Sequence, residues 1–240
     1  MNESEWLACT DPRQMVEFLR GSRKASDRQC RLFAAACYRR VWHLLADRRT
    51  RDAVEVLERL ADGGVPRAEV EHALLGACNA HYEAEADAED GLSEARELAT
   101  GGVYRAFENS PAAAVGYAHH YARLAAAAAA GSVAQAAAER AEAGGQCRLL
   151  RDIFGPFPLG PSAIAPSVRT WNGGLVRTLA QAAYEERDLR SGHLRSDRLA
   201  VLADGLQDAG FEDAELLGHL RGGEVHVRGC WAVDFLLREP

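Results

Sequence analysis

The sequence predicts an all-α protein, an irregular multi-helix globule of roughly nine to eleven helices with no significant sheet. Three observations predict it. Apolar residues return at three- and four-residue steps in one segment after another. An alanine-rich stretch, LAAAAAAGSVAQAAAERAEAGG, fills residues 124–145 with the best helix former. Period-two alternation is confined to EVHVRG, 224–229, which is too short to build a sheet.

The elements follow in chain order. Thr10-Asp11-Pro12 starts a helix, with Pro12 in the first turn, where a missing N–H costs nothing; Met15, Phe18 and Leu19 then share a face. Ser26 caps a second helix whose stripe is Cys30, Phe33, Cys37, Val41 and Leu44. Asp47 or Thr50 starts a third, with Val54, Leu57 and Leu60 inward and Gly63-Gly64 at its end. Pro66 opens a fourth, carrying Val70, Leu74 and Cys78 or Ala77.

Ser110-Pro111 opens the alanine-rich segment, with a break expected near Gly131. It offers few large side chains, so close packing is expected, with Tyr117, Tyr121 and Leu124 on its apolar edge. Asn172 is expected to cap a helix through Tyr184 and Arg187. A helix from Ser196 to Ala209 carries Leu199, Leu202 and Leu206 and stops at Gly210. A short one holds Leu216, Leu217 and Leu220, and the last carries Trp231, Val233, Phe235, Leu236 and Leu237.

Residues 154–170 contain four prolines and two glycines. A connection of that composition and length marks a boundary and is often functional. The expected organisation is an N-terminal helical half, 1–153, the connection 154–170, and a C-terminal half, 171–240, packed as one globule.

Composition narrows the function. No apolar run is long enough to span a bilayer, and the acidic start, MNESE, is no signal peptide, so a cytoplasmic chain without membrane contact is expected. Six scattered cysteines without a CxxC pair suit buried thiols better than a disulfide framework. The net charge of −7 is unevenly spread: residues 20–51 hold ten basic and two acidic side chains, residues 83–97 seven acidic and one basic. Arginine outnumbers lysine 27 to 1, which points to a GC-rich genome and lowers the weight of any single arginine as a phosphate ligand.

Several strings resemble a group of uncharacterised proteins common in planctomycetes. EWLACTDP, MVEFLRG, KASDRQCRLFAAACYRRVWHLL and AVEVLERLADG are similar to the first half of that group; LLRDIFG, WNGGLVRTLAQAAYEER, LAVLADGLQDAGFEDAELLGHLRG and HVRGCWAVDFLL are similar to its second half. The resemblance covers about two-thirds of the chain and leaves out the alanine-rich middle. It implies that the two ends belong to one architectural unit and brings no activity with it. The stretch RDLRSGHLRSDRLAVLADG departs from the group in being a longer link.

Few residues carry chemistry. The chain has no GxSxG, Walker A, GxGxxG, DxD or HExxH. His219, His226 and Cys230 would suit zinc if Gly222-Gly223 folds the chain back, with His193, Cys147 or Asp204 as a fourth ligand. Their spacing matches no zinc-finger pattern, and the favoured reading is architectural: turns shaped by Gly222, Gly223 and Gly229, His226 hydrogen-bonded to a backbone group, and Cys230 packed with Trp231. Glu69-x-x-His72 is half of a carboxylate-bundle metal motif and is expected to be a surface pair. Arg28, Arg31, Arg39 and Arg40 are candidate contacts to phosphate or to an acidic partner. Arg151, Asp152 and Trp171 frame a candidate pocket around the proline-rich connection.

The default expectation is a non-catalytic helical adaptor or regulatory module that binds a protein partner and needs no cofactor. The alternatives are a metal-assisted enzyme or zinc-binding protein built on His219, His226 and Cys230, and a nucleic-acid-associated protein acting through segment 20–51.

Overall fold

A computed structural model describes residues 1–22, 25–86, 91–108, 110–155 and 164–238. Among the described residues lie twelve α-helices and no strand. They are α1 (Glu3–Ala8), α2 (Pro12–Ser22), α3 (Asp27–Arg40), α4 (Arg48–Asp62), α5 (Arg67–Ala86), α6 (Gly91–Glu108), α7 (Pro111–Phe154), α8 (Pro166–Thr170), α9 (Leu175–Glu185), α10 (Ser196–Asp208), α11 (Ala214–Arg221) and α12 (Trp231–Leu237). No described helix is long and apolar enough to cross a membrane. The chain forms two compact units, one of Met1 and Ala8–Leu150, the other of Asn2–Leu7 and Arg151–Pro240. Most of α1 thus belongs with the C-terminal unit: Trp6 Nε1 donates to the Gly155 carbonyl at 2.9 Å, and the Arg151 guanidinium donates to the Trp6 carbonyl.

In the first unit the capping chemistry fixes the helix starts. The Ser26 hydroxyl accepts from the Gln29 amide and the Gln29 side chain accepts from the Ser26 amide, both at 3.2 Å, a reciprocal box that satisfies two free donors of α3. Asp47 accepts from the Arg49 amide at 2.7 Å to start α4, and Gly63, at φ 85°, ends it. The whole expected stripe of Cys30, Phe33, Cys37, Val41 and Leu44 is buried, although α3 itself stops at Arg40 and the last two residues sit in the following turn.

The buried face of α5 is Ala73, Ala77, Ala80 and His81, while Val70, Leu74 and Cys78 of the expected stripe are half-buried. Helix α6, which carries no clear apolar stripe in the sequence, buries Ala95, Ala99, Val103 and Ala106. Small residues let helices approach closely. At Gly102 a Cβ would lie 2.7 Å from Tyr121 Cβ and 3.0 Å from the Tyr38 ring, while the Tyr38 hydroxyl donates to the Gly102 carbonyl at 2.6 Å.

Helix α7 is interrupted at Gly131, where φ is 69°. Its second part runs back along the first, since Gln146 Nε2 donates to the His119 carbonyl at 3.1 Å. The alanine-rich segment therefore does two different things. Ala118, Ala122, Ala125 and Ala127 are buried, as close packing requires, but residues 131–137 at the tip are exposed and Val133 is fully solvated. The expectation of close packing holds for the arm before Gly131 and fails at the tip.

In the second unit Ile164, Val176, Leu199, Leu202, Leu206 and Leu216 belong to one apolar core that α12 closes with Trp231, Val233 and Leu236. Asn172 does not cap a helix. It adopts a left-handed conformation, φ 46°, in a 3-10 turn, and α9 starts instead after Gly174 without a side-chain cap. Residues 156–163 of the proline-rich connection lie outside the described residues; the described remainder includes the short helix α8. EVHVRG contributes only an isolated antiparallel bridge between Val227 and His193.

Two predictions follow from the first unit. Gly102→Ala forces a methyl into a contact no neighbour can vacate, so it is expected to destabilise by about 1–3 kcal/mol in urea denaturation. His119 is buried, and burial, then the nearby Arg123 and His120, push its pKa down from 6.5 to about 4. The unfolded chain therefore takes up this proton first. Stability falls as pH drops from 6.5 and levels off below about 4, with a total loss of at most about 3 kcal/mol. Denaturation midpoints of His119→Leu, which cannot titrate there, are expected to lack that slope.

Candidate metal centre

Three short pieces of chain converge in the second unit. Asp152 sits in the last turn of α7, His219 in the last turn of α11, and Cys230 immediately before α12. His226 lies in the link between α11 and α12. That link is shaped by backbone chemistry. The Cys230 amide donates to the Val227 carbonyl at 2.9 Å, closing a four-residue turn whose third residue, Gly229, has φ 92°. Only glycine takes that conformation without strain. The turn places Cys230 beside His226, whose own carbonyl is fixed by the Leu194 amide at 2.8 Å.

The donors face one another. Asp152 Oδ1 lies 2.7 Å from His226 Nδ1 and 3.3 Å from His219 Nε2. Its second oxygen accepts from the Val227 amide at 2.8 Å. Cys230 Sγ lies 3.2 Å from His219 Nε2 and 3.8 Å from His226 Nδ1. One donor atom from each of the four residues falls within 4.8 Å of the others. The His219 and His226 rings meet edge to face, centroids 4.5 Å apart, and Trp231 flanks His219 at 5.0 Å. The side chains of Asp152 and His226 are 4% and 2% exposed and Cys230 is fully buried, while His219 keeps 21% of its side chain in solvent.

Burial shapes the ionisation. It pushes the Asp152 carboxyl up, but hydrogen bonds from His219 and His226 and their charge outweigh it, and the net shift is downward. Burial, reinforced by the Asp152 carboxylate, raises the Cys230 thiol well above its ordinary value.

The arrangement separates two kinds of chemistry. In a nucleophile relay the imidazole uses opposite nitrogens, one toward the nucleophile and one toward the carboxylate. Here a single nitrogen of each ring meets both the sulfur and the carboxylate. The donors point at a shared centre rather than along a chain, and a buried, protonated thiol is a poor nucleophile. Bonds of about 2.0–2.3 Å in a tetrahedral zinc site put neighbouring donors about 3.3–3.6 Å apart. Four of the six donor separations, 2.7, 3.3, 3.2 and 3.8 Å, scatter about that spacing, the shortest being the Asp152–His226 hydrogen bond, and no donor pair exceeds 4.8 Å.

The residues singled out in the sequence fall in several places. His219, His226 and Cys230 come together, and the fourth donor is Asp152, which the sequence suggested only for a pocket. None of the suggested fourth ligands joins them: His193 forms the bridge to Val227, Asp204 pairs with Arg221, and Cys147 is buried in the first unit. Arg151, Asp152 and Trp171 each serve different partners, respectively the Trp6 carbonyl, the histidines, and the apolar core. Glu69 pairs with Arg59, and His72 is exposed. Arg39 is buried against Glu58 in a two-point contact at 3.0 Å and lies under Trp42. Arg40 pairs with Glu142 and Arg28 with Asp62. Arg39 is therefore an internal cation rather than a surface phosphate contact, and Arg31 is half-buried. Comparison with protein families, curated proteins and solved structures found no match for the chain.

Asp152→Ala removes the acceptor for the buried Val227 amide and for His226. In metal-free protein it is expected to cost about 2–5 kcal/mol, the penalty of leaving those donors unpaired. Urea denaturation in excess chelator reads that loss, and a change within experimental error would contradict the geometry.

Proposed function

We propose that this protein is a metal-binding helical module in which Asp152, His219, His226 and Cys230 hold one divalent transition-metal ion, with zinc the best match. The observation that carries the reading is the convergence of four donors, Asp152 from the end of α7 and the other three from within twelve residues around the α11–α12 link, on one mostly buried point. Charge supports it. A carboxylate and a thiolate with two neutral imidazoles carry −2, so a divalent ion leaves the buried site neutral. One sulfur, two nitrogens and one oxygen form the mixed donor set that zinc accepts in tetrahedral geometry.

All four positions of a tetrahedral site are supplied by the chain, which supports a structural ion over a catalytic one. On this reading the protein is not an enzyme. It is a non-catalytic module whose C-terminal unit is cross-linked by the ion and whose helical surface serves a protein partner. None of the six cysteines is in a disulfide, and a thiolate ligand is best preserved under reducing conditions, which supports a cytoplasmic location. Binding must expel the Cys230 proton, so affinity falls as pH falls.

Elemental analysis of purified protein tests the proposal. Stoichiometric zinc is expected after loading and desalting, with a raised melting temperature that chelator reverses. Cys230→Ser and Asp152→Asn are expected to lose the ion, while His193→Ala keeps it. Failure of the unaltered protein to retain zinc, cobalt or iron above trace overturns the reading.

A further inference from the structure

We infer that His219 is the exchangeable ligand of this site, the position at which an incoming neutral nitrogen donor, an imidazole side chain of a metal-carrying protein, takes hold of the ion. The inference rests on the metal reading above and goes beyond it by assigning unequal roles to the four donors.

A closed tetrahedral ion is exchanged only when one protein ligand leaves and another donor takes its place. The leaving side chain needs a path to solvent. Asp152 has none: its side chain is buried and its second oxygen is held by the Val227 amide. Cys230 is fully buried, and its carbonyl accepts from the Asp234 amide in the first turn of α12. His226 is 2% exposed, and its backbone is fixed by Leu194 beside the bridge of Val227 to His193. The His219 carbonyl is also held, by the Gly222 amide at 3.2 Å, but its side chain differs. His219 keeps 21% of its side chain in solvent and stands at the end of α11, three residues before the Gly222-Gly223 bend. A rotation of its side chain uncovers the ion without moving the other three donors.

Charge and shape select the incoming group. When the His219 Nε2 bond to the ion breaks and an imidazole nitrogen forms a new one, the site stays neutral and no electron is transferred. A thiolate or carboxylate in the same position would add a negative charge beside the Asp152 carboxylate in a mostly buried setting, where desolvation and repulsion oppose it. The His219 ring lies between the near-perpendicular His226 ring and the tilted Trp231 ring, an aromatic setting that suits a planar heterocycle.

Cobalt(II) reports the coordination sphere by its visible bands. Full-length protein and the variants His219→Gly, His219→Ala and Cys230→Ser are loaded with cobalt and desalted. Both His219 variants are expected to keep the ion with shifted bands and to release it to chelator about tenfold or more faster, since even supporting contacts around a metal move affinity by roughly 10–100-fold. Added imidazole is expected to return their bands to the unaltered pattern, whereas 2-mercaptoethanol and acetate do not. Cys230→Ser is expected to lose cobalt on desalting. Loss of cobalt from both His219 variants as complete as from Cys230→Ser overturns the inference, and so does retention without a response to imidazole. If the unaltered protein binds no cobalt, the metal reading itself has failed, which the first measurement shows separately.

Discussion

The C-terminal unit depends on a buried carboxylate. Asp152 arrives at the end of α7 with 4% of its side chain exposed, and a lone carboxylate in that setting would be protonated or would destabilise the fold by several kcal/mol. It is held ionised by donors on one short piece of chain, the His226 ring and the Val227 amide, and by His219 from α11. The downward shift of its pKa despite burial is the electrostatic signature of that grip. Geometry then follows from charge. Any arrangement that satisfies both oxygens brings the α11–α12 link against the last turn of α7, and the Gly229 turn carries Cys230 into the same space.

The first unit handles charge in the opposite way. Several of its cations are matched by carboxylates across helices: Arg39 with Glu58, Arg28 with Asp62, Arg40 with Glu142. Gly145 shows how tight this is, because a Cβ there would overlap the Arg40 guanidinium at 2.0 Å. Arg39 illustrates why a guanidinium suits such a site. Its fork meets both Glu58 oxygens while its face lies 4.2 Å from the Trp42 ring. Part of the basic run in sequence thus becomes a set of internal ties, to α4 through Glu58 and Asp62, to α7 through Glu142, and to the first residue of the acidic run through Arg49 and Glu83.

The fold was legible where local chemistry decides it. Ser26 with Gln29, Asp47, Pro66, Gly63 and Gly210 mark helix ends by rules that need no tertiary information, and the Cys30–Leu44 stripe marks a buried face by period alone. What period could not show is α6, where alanine and glycine do the packing and a close approach takes the place of apolar bulk. Asn172 was misread because a preferred capping residue is also one of the few that tolerates the left-handed region. The site was half legible. His219, His226 and Cys230 are close in sequence, so their convergence needs only a bend. Asp152 is 67 residues from the nearest of them, and only tertiary structure brings it in; the one available sign was its place at the boundary before the proline-rich connection.

A cross-link at this point has a physical rationale beyond the donors themselves. The second unit is small, and its net stability, as for any domain, is a narrow margin between large opposing terms. Its closing helix, α12, has seven residues, too few to hold helical structure in isolation. Trp231, Val233 and Leu236 anchor it by packing, but packing does not fix where the helix begins. Cys230 is the residue immediately before that first turn, with no side-chain cap. A bond from its sulfur to an ion shared with Asp152 would fix the start of α12 relative to the end of α7 and take over the constraint that a capping side chain supplies elsewhere. On the proposed metal reading, a cysteine at that position, inferior to a serine or aspartate as a cap, would be the better ligand.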